Sequence, residues 1–340
     1  MSQPFTILIR LIWPLVRSWR KYRYPEKINR YEQDLLLNYQ LPARALLIPR
    51  IVFMLDENFS QGGFVDRVKG VVSAYYLADI TGLPFCIYLK DSTDPIFKIL
   101  NEKHVTILNQ STDLVFSQGQ SVPIVWYNYL PETSSEVLNR LKGNCEYHLY
   151  CNMDALPLLI QDKKSRPLSW SDVFHKVFNF QQISKSVFTD TLLIGKTIGI
   201  HLRFIGLLGD FRDLRHIQLS EEIKNSMEEW CRHTIFKIAK ENFDSIIYIV
   251  SDSRLFLDRL KSNLISTEFE SRIYIENGEI GHTAVVKSEE VFIKTITDFI
   301  GLSRCAKVYQ LRYGKMHKSD FSKYAALVNL TPFELIEPNV

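Results

Sequence analysis

The fold class is decided by residues 51–89, IVFMLDENFSQGGFVDRVKGVVSAYYLADITGLPFCIYL. Its two apolar ends, residues 51–55 and 85–89, have the length and composition of buried strands. Between them, apolar residues recur at helical spacing from Val65 onward, and a glycine and a proline then end that pattern. A strand, a loop, a helix and a second strand within about 40 residues predict a parallel, right-handed βαβ unit.

The second half of the chain repeats this alternation. Strand-like runs are predicted at residues 197–204, 245–250, 272–276 and 306–311, and helical patterns at 219–242, 254–264, 287–300 and after Asp320. Alternating strands and helices in both halves indicate an α/β protein with two Rossmann-like, doubly wound domains that face each other across a cleft. The predicted division is a basic amphipathic segment at 1–40, an N-terminal domain at 41–165, a C-terminal domain at 166–330 and a tail at 331–340.

Composition excludes several classes of protein. A chain of 340 residues that is 46% hydrophobic buries a sizeable core, which excludes a disordered or collagen-like protein. Five scattered cysteines without a C-x-x-C pair argue against a disulfide scaffold and a zinc ribbon, and favour a reducing, cytoplasmic compartment. No D-x-D occurs, so the metal-chelating acid pair of one large glycosyltransferase class is absent.

The first 24 residues combine basic side chains with many apolar ones. Five positive charges precede the first acid, Glu26, and the remaining chain has a net charge of −2, which excludes a nucleic-acid-type surface. Trp13 and Trp19 among these arginines favour an amphipathic helix at the face of an anionic membrane. The alternative is a helix packed on the protein's own body, with Arg10 extended toward solvent.

Polar residues follow the predicted strands of the second half. His201-Leu-Arg203 and Ser251-Asp252-Ser253 stand at two strand ends, and Ser319-Asp320-Phe321-Ser322 opens the last helix. Because ligands of parallel sheets bind beyond the carboxyl ends of the strands, near helix N-termini that attract anions, these segments predict a nucleotide site. The alternative is ordinary helix capping at polar loop tips.

Four segments, in this order, resemble the superfamily of α1,2-, α1,6- and protein O-fucosyltransferases. They are Gly62-Gly-Phe-Val-Asp-Arg-Val-Lys-Gly70, Ile198-Gly-Ile-His-Leu-Arg203, Ile249-Val-Ser-Asp-Ser253 and Lys318-Ser-Asp-Phe-Ser322. The resemblance covers residues of about 50 to 330. It implies a GT-B fold and inverting transfer of fucose from GDP-fucose to a glycan or a lipid-linked oligosaccharide, as in polysaccharide biosynthesis. It also implies that the reaction needs no metal or other cofactor, with GDP-fucose as the donor substrate.

The resemblance also implies roles for residues of the C-terminal half. Arg203 would stabilise the diphosphate leaving group, since a guanidinium binds two phosphate oxygens at once and stays protonated. Asp252 would accept hydrogen bonds from guanine. The remaining predicted donor-binding residues of this half are His201, Ser253, Ser319, Phe321 and Ser322. Each has a structural alternative: an ion pair for Arg203, a helix cap for Asp252, a buried core histidine for His201.

In the N-terminal half, Gly62, Gly63 and Arg67 are predicted to bind the donor, with a tight turn as the alternative for the two glycines. Asp66 is the first candidate for the general base that accepts the proton of the acceptor hydroxyl. Asp56 and Glu57 are the next candidates for this base. Lys69 is left out of the predicted site, and His282 is a further candidate for a place in the cleft.

The leading hypothesis is therefore a cytoplasmic fucosyltransferase at the inner face of the membrane. The alternatives are a related transferase that uses another nucleotide sugar, and a catalytically silent protein that binds a nucleotide or a glycan. The expected partners are a nucleotide-sugar donor, a glycan or lipid-linked acceptor and an anionic membrane surface, without nucleic acid.

Overall fold

A computed structural model of the chain describes residues 48–56, 61–90, 99–117, 119–127, 130–131, 134–162, 168–179, 196–211, 219–283 and 288–338, together with Leu35, Leu37, Tyr39 and Ile96. The chain divides into two compact units. Unit 1 comprises Met1–Gly62 and Asp66–Ser169, and unit 2 comprises Gly63–Val65 and Trp170–Val340. The predicted amphipathic segment and Glu57 lie outside the described residues, apart from the three single positions before residue 40.

Unit 1 is an α/β unit around a six-stranded sheet. Its elements in chain order are β1 (Arg50–Leu55), α1 (Phe64–Thr81), β2 (Phe85–Leu89), β3 (Thr106–Leu108), β4 (Ser121–Tyr127), β5 (Leu130–Pro131), α2 (Ser134–Arg140), β6 (Glu146–Cys151) and α3 (Leu156–Asp162). The strand order is β3-β2-β1-β6-β4-β5, parallel except for the β4–β5 pair.

The predicted βαβ unit is confirmed. Strand β1 pairs in parallel with β2, with Ile51 opposite Phe85, and α1 connects them. The helix lies very close to β6, because a side chain at Gly70 would come within 2.8 Å of the Cys151 carbonyl carbon and 2.9 Å of the Phe53 ring. Glycine at this position is therefore required for the packing of the helix on the sheet.

Strand β6 is not predicted by the sequence pattern, because residues 131–195 mix helical spacing with polar loops. Its sequence, EYHLYC, places Glu146 and His148 within a strand in which every residue is buried. The Glu146 carboxylate is paired with Arg50 (2.6 Å) and with His148 Nε2 (2.7 Å), and the other His148 ring nitrogen lies 2.6 Å from the Tyr39 hydroxyl. These partners satisfy the buried polar side chains of Glu146 and His148. Without such partners, a buried strand would be expected to contain apolar residues at these positions.

Unit 2 contains a five-stranded, fully parallel sheet. Its elements are α4 (Trp170–Val177), β7 (Thr197–Leu202), α5 (Glu221–Glu241), β8 (Ile246–Ser251), α6 (Arg254–Leu264), β9 (Ile273–Ile275), α7 (Glu289–Ser303), β10 (Lys307–Leu311), α8 (Phe321–Val328) and β11 (Phe333–Ile336). The order β11-β10-β7-β8-β9 confirms a doubly wound unit. The order reverses between β7 and β10, so their carboxyl ends flank the crevice in which such sheets bind ligands.

The last residues differ from the predicted tail. Residues 333–336 form strand β11, which pairs in parallel with β10, with Val308 opposite Phe333. Val308 also donates a backbone hydrogen bond of 2.9 Å to Pro332, and Arg312 forms an ion pair with Glu337. A short strand of mixed polarity is not visible as a separate pattern in the sequence, because only its pairing with β10 defines it.

Among the residues that the structure describes, no helix is long and apolar enough to cross a membrane.

Candidate functional site

Two of the predicted residues lie at the carboxyl end of β7: His201 is within the strand, and Arg203 directly follows its last residue, Leu202. His201 is buried, its Nδ1 lies 3.0 Å from the Ser322 hydroxyl, and its ring centroid is 5.4 Å from that of Phe321. Burial, the Arg203 charge and His317 lower the pKa of His201 to about 3. The structure therefore brings His201, Phe321 and Ser322 together, with the imidazole neutral.

The Arg203 guanidinium is held between two groups at the end of β7. Its Nη1 lies 3.3 Å from Asp252 Oδ2, and its guanidinium carbon is 4.9 Å from the Phe211 ring centroid. The side chain is 18% exposed, so it keeps some access to solvent. Arg203 therefore forms the ion pair that was its structural alternative, and its guanidinium is still partly accessible to solvent.

Asp252 is engaged by its own chain. Its Oδ1 accepts a hydrogen bond of 2.7 Å from the Phe204 amide, and its Oδ2 accepts one of 2.8 Å from the Ile205 amide. These amides belong to a turn in which Ile205 (φ 52°) and Gly206 (φ 76°) have positive φ. Burial raises the pKa of Asp252, and Arg203 and the two amides oppose that shift.

The geometry favours a positioning role for Asp252 over the guanine contact predicted from sequence. Its carboxylate is 5% exposed and is committed to Arg203 and to the turn that follows β7. Capping of α6 is performed by the next residue, Ser253, whose hydroxyl accepts a hydrogen bond of 3.1 Å from the Phe256 amide. Ser253, and not Asp252, is therefore the residue that caps α6.

Sequence reasoning missed two residues that complete this arrangement. Asp210 accepts hydrogen bonds from the Ser253 hydroxyl (2.9 Å) and the Leu255 amide (2.7 Å), and so ties the β7–α5 loop to the start of α6. Phe211, directly after it, contacts Arg203. Neither residue stands in a motif, and the signal that could have indicated them is their place in the loop after the Arg203 strand.

Local contacts position the residues at the start of α8. The Phe321 amide donates a hydrogen bond of 3.1 Å to the Ser319 hydroxyl, and Ser322 is fully buried against His201. Phe321 is partly exposed, and its ring centroid is 5.5 Å from that of Phe299. The predicted residues of the last motif therefore lie beside β7, at the reversal point of the sheet.

The glycine-rich segment starts α1. Gly62 has a φ of 79°, which favours glycine, and Gly63 is placed so that a side chain there would stand 3.8 Å from the His282 ring. Asp66 forms an ion pair of 2.8 Å with Lys69. Arg67 is buried (8% exposed), as is Lys69, so neither is a solvated helix charge.

Asp56, the second candidate base, follows β1 at the carboxyl edge of the unit 1 sheet. Its Oδ2 accepts a hydrogen bond of 3.2 Å from the Tyr150 hydroxyl. Within the described ranges, no group of three His, Cys, Asp or Glu side chains is arranged to hold a metal ion.

Comparisons with known proteins give structural matches only. No family model matches the sequence, and no curated protein is significantly similar to it. A variant of FUT1 from Arabidopsis thaliana, solved with GDP, is similar over 95% of this chain and 79% of that chain, with a TM-score of 0.52 and 13% identity. Fucosyltransferase NodZ from Bradyrhizobium matches over 83% and 94%, with a TM-score of 0.47 and 16% identity. POFUT1 in complex with GDP matches over 86% and 98%, with a TM-score of 0.45 and 10% identity.

At 13% identity, the FUT1 match is evidence about the fold of this chain. The fold that the resemblance of the four sequence motifs implies is thereby confirmed: the chain has a fold similar to that of the FUT1 structure.

Proposed function

We propose that the protein is an inverting, metal-independent glycosyltransferase that moves fucose from GDP-fucose to a hydroxyl of a glycan or a lipid-linked oligosaccharide. The observation that carries this proposal is the position of Arg203, held by Asp252 and Phe211 at the carboxyl end of β7, where the strand order of unit 2 reverses. In this proposal the two units are the two domains of a GT-B enzyme, and the donor binds to unit 2.

The reaction requires stabilisation of the leaving group. The acceptor oxygen forms a bond to C1 of fucose while the bond from C1 to the phosphate oxygen breaks, and GDP leaves with that electron pair. Negative charge then grows on the diphosphate, and a fixed guanidinium stabilises it more in the transition state than in the bound donor. Arg203 suits this role because Asp252 and Phe211 fix its orientation before the donor binds.

The start of α8 would complete the phosphate site. The Ser319 hydroxyl, which accepts a hydrogen bond from the Phe321 amide, can still donate its own proton, and the N-terminus of a helix attracts anions. The neutral His201 supports this segment through Ser322 and Phe321. We assign Asp252 and Ser253 to positioning of the loops around Arg203, and we propose Gly62, Gly63 and Arg67 as further donor-binding residues.

The acceptor hydroxyl must lose a proton as its oxygen attacks. We propose that Asp66 accepts this proton, because it is partly exposed at the start of α1 and its carboxylate is oriented by Lys69. Asp56 is the alternative base, with an orientation set by Tyr150. Substitution of each by Asn separates them, since the true base is the one whose loss removes transfer while GDP binding persists.

A second candidate is a transferase that uses another nucleotide sugar. The observation that favours it is the engagement of Asp252, because the carboxylate predicted to read guanine is committed to Arg203 and two backbone amides. A catalytically silent nucleotide-binding protein would have the same geometry and would lack turnover.

We place the protein in the cytoplasm, at the inner face of the membrane, because the basic and apolar residues 1–24 suit an anionic lipid surface. Such a location would bring the enzyme to lipid-linked acceptors. Deletion of residues 1–24 is expected to abolish co-sedimentation with anionic vesicles. Persistent binding of the truncated protein would show that another surface attaches it.

The proposal is tested by calorimetric titration with GDP, GDP-fucose, UDP and ADP without added metal, followed by donor turnover. Selective GDP binding supports a guanine-nucleotide enzyme, and stronger UDP or ADP binding supports the second candidate. Arg203→Ala is expected to lower turnover of the donor by about 100-fold. The control is Arg259→Ala, an exposed arginine of the same unit that pairs with Glu228. Unchanged turnover in Arg203→Ala would remove Arg203 from the catalytic site.

A further inference from the structure

The amino ends of the unit 2 strands carry the three most exposed large apolar side chains that the structure describes in that unit. Their exposed fractions are 78% for Phe243, 67% for Leu330 and 65% for Ile265. Phe243 precedes β8, Ile265 precedes β9 and Leu330 precedes β11, and all five strands are parallel. The three side chains, which we call the apolar tips, therefore share the edge of the sheet opposite to the candidate site. Single exposed apolar residues are common on proteins, but their concentration on one edge indicates a surface with a partner.

The backbone at Leu330 makes an exposed leucine there more unusual. Leu330 follows the last residues of α8 with a φ of 55°, in the left-handed region that favours glycine. Its side chain gains no burial in return. Neither the local conformation nor the core of unit 2 therefore explains a leucine at this position, whereas contact with an apolar partner would.

The loops that carry the apolar tips are held in place by backbone contacts. The Arg272 guanidinium donates hydrogen bonds to the carbonyl oxygens of Ala239 (2.6 Å) and Asn242 (2.7 Å), and so ties the loop before β9 to the loop before β8. At the other end of the edge, the Thr331 amide donates a hydrogen bond of 2.8 Å to the Ala326 carbonyl oxygen. Loops fixed in this way present their apolar side chains before a partner arrives, which lowers the entropic cost of binding.

The spacing of the apolar tips favours a lipid surface over a protein partner. In the order β11-β10-β7-β8-β9, three strand intervals, or about 15 Å, separate the start of β11 from that of β8. Basic side chains occupy this interval, since Arg304 precedes β10, Lys307 begins it and Lys196 precedes β7. The core of a protein interface is depleted in charge. A bilayer instead accepts separate apolar side chains below its headgroups, with Lys and Arg at the level of the phosphates.

The charges of this edge indicate the kind of bilayer. In the loops before the strands and at the adjoining helix and strand ends, five basic side chains stand beside five acidic ones: Lys196, Lys240, Arg272, Arg304 and Lys307, and Glu241, Asp244, Glu268, Glu270 and Glu334. Lys196 pairs with Asp244 at 3.5 Å, and Lys307 pairs with Glu334 at 2.7 Å. A balanced surface is not attracted strongly to polyanions and suits headgroups that carry both signs.

We propose that the amino edge of the unit 2 sheet docks on a bilayer, with Phe243, Ile265 and Leu330 inserted below the headgroups. The contact depends on insertion of apolar side chains, so it forms on zwitterionic lipid and changes little with salt. It is separate from the reaction proposed for the opposite edge.

The first test locates the inserted side chains in the full chain. A nitroxide is attached to Phe243→Cys, Ile265→Cys or Leu330→Cys in a Cys145→Ser background, because the other four cysteines are buried. Asp258→Cys, at an exposed position of α6, carries the control label. On phosphatidylcholine vesicles, the three tip labels are expected to become more accessible to oxygen and less accessible to a water-soluble nickel complex. The label at residue 258 is expected to keep its exposure to water.

The second test measures co-sedimentation with the same vesicles. The tip variant carries Phe243→Asn and Ile265→Asn, and the control carries Ile223→Asn and Ile293→Asn, two other exposed apolar positions of unit 2. The tip variant is expected to bind about tenfold more weakly or worse, and the control to bind as the unmodified protein does. Leu330→Gly is expected to weaken binding severalfold without lowering the melting temperature, because glycine suits the φ at this position.

Three results would overturn the inference: tip labels that stay exposed to water on the vesicles, equal binding of the tip and control variants, or no binding of the full chain to phosphatidylcholine. Spin–spin broadening of the tip labels without lipid would assign the edge to a second copy of the chain and overturn it as well. Melting temperatures show that the variants fold. Nucleotide titration tests the proposed reaction independently, so either proposal can fail alone.

Discussion

Asp252 holds together the strand end that carries the candidate catalytic arginine, so its loss should be visible without any substrate. The substitution Asp252→Asn keeps the size of the side chain but leaves one acceptor oxygen where the carboxylate has two. In the native protein, those two oxygens accept the amides of Phe204 and Ile205 at 2.7 and 2.8 Å, and one of them pairs with Arg203 at 3.3 Å.

The magnitude follows from these contacts. In Asp252→Asn, an amide N–H of the side chain must face either a backbone N–H or the guanidinium, so one buried donor loses its partner. An unsatisfied buried donor costs about 1–3 kcal/mol. The broken ion pair adds to this cost, at a discount because Arg203 is 18% exposed. We expect the free energy of unfolding of unit 2 to fall by about 2–4 kcal/mol.

The assay is urea denaturation combined with amide hydrogen exchange measured by mass spectrometry. Exchange in the peptide that contains Phe204 and Ile205 should accelerate, because their amides lose a fixed acceptor. Asp244→Asn is the control, since Asp244 is exposed and pairs with Lys196 at 3.5 Å, and it should leave both readouts unchanged. Native exchange and an unchanged unfolding midpoint in Asp252→Asn would refute the assigned role.

The other predictions concern the cores of the two units and the pH dependence of stability. His201 has a pKa of about 3 in the folded protein, below its unfolded value, so its contribution to stability is present above about pH 6.5 and is lost as the pH falls. Between neutral pH and about pH 5, we expect the unmodified protein to lose about 2 kcal/mol more than His201→Gln in urea titrations, and equal losses would contradict the buried neutral imidazole. Gly70→Ala should destabilise unit 1 by about 2 kcal/mol or more, because its added carbon meets backbone atoms. Gly143→Ala, with neighbours at 3.4 Å or beyond, should be much milder, and equal melting temperatures for the two variants would refute the close approach of α1 to β6. Glu146→Gln should cost about 3–5 kcal/mol in urea unfolding, since it leaves buried donors unpaired, and a change within experimental error would show that the buried carboxylate contributes nothing.

Local patterns in the sequence were sufficient for much of the fold. The apolar runs 51–55 and 85–89 and the helical spacing between them predicted a parallel βαβ unit, and the structure confirms it. These predictions succeed because burial of one face imposes a short-range periodicity on the chain. The order of the four motifs likewise predicted a fucosyltransferase-like fold, and the similarity of the fold to the FUT1 structure confirms it.

The sequence predicted which strand ends carry the candidate site. It did not predict which side chains contact one another there. His201, Phe321 and Ser322 were expected near one another and lie together. The expected guanine contact of Asp252 differs from the observed geometry, because its hydrogen-bond partners lie 47 and 48 positions earlier in the chain. Asp210 and Phe211 were not indicated by any motif.

The sequence by itself determined the class of the fold, the alternation of strands and helices in both halves and the position of Arg203 directly after a strand. The tertiary structure alone decided which hydrogen-bond and ion-pair partners the buried polar residues have. Strand β6 was missed because Glu146 and His148 depend on distant partners, among them Arg50 and Tyr39, which lie 96 and 109 positions away. Burial leaves a periodic trace along the chain, whereas the partner of a buried charge is chosen by contacts between distant segments, and no local pattern records it.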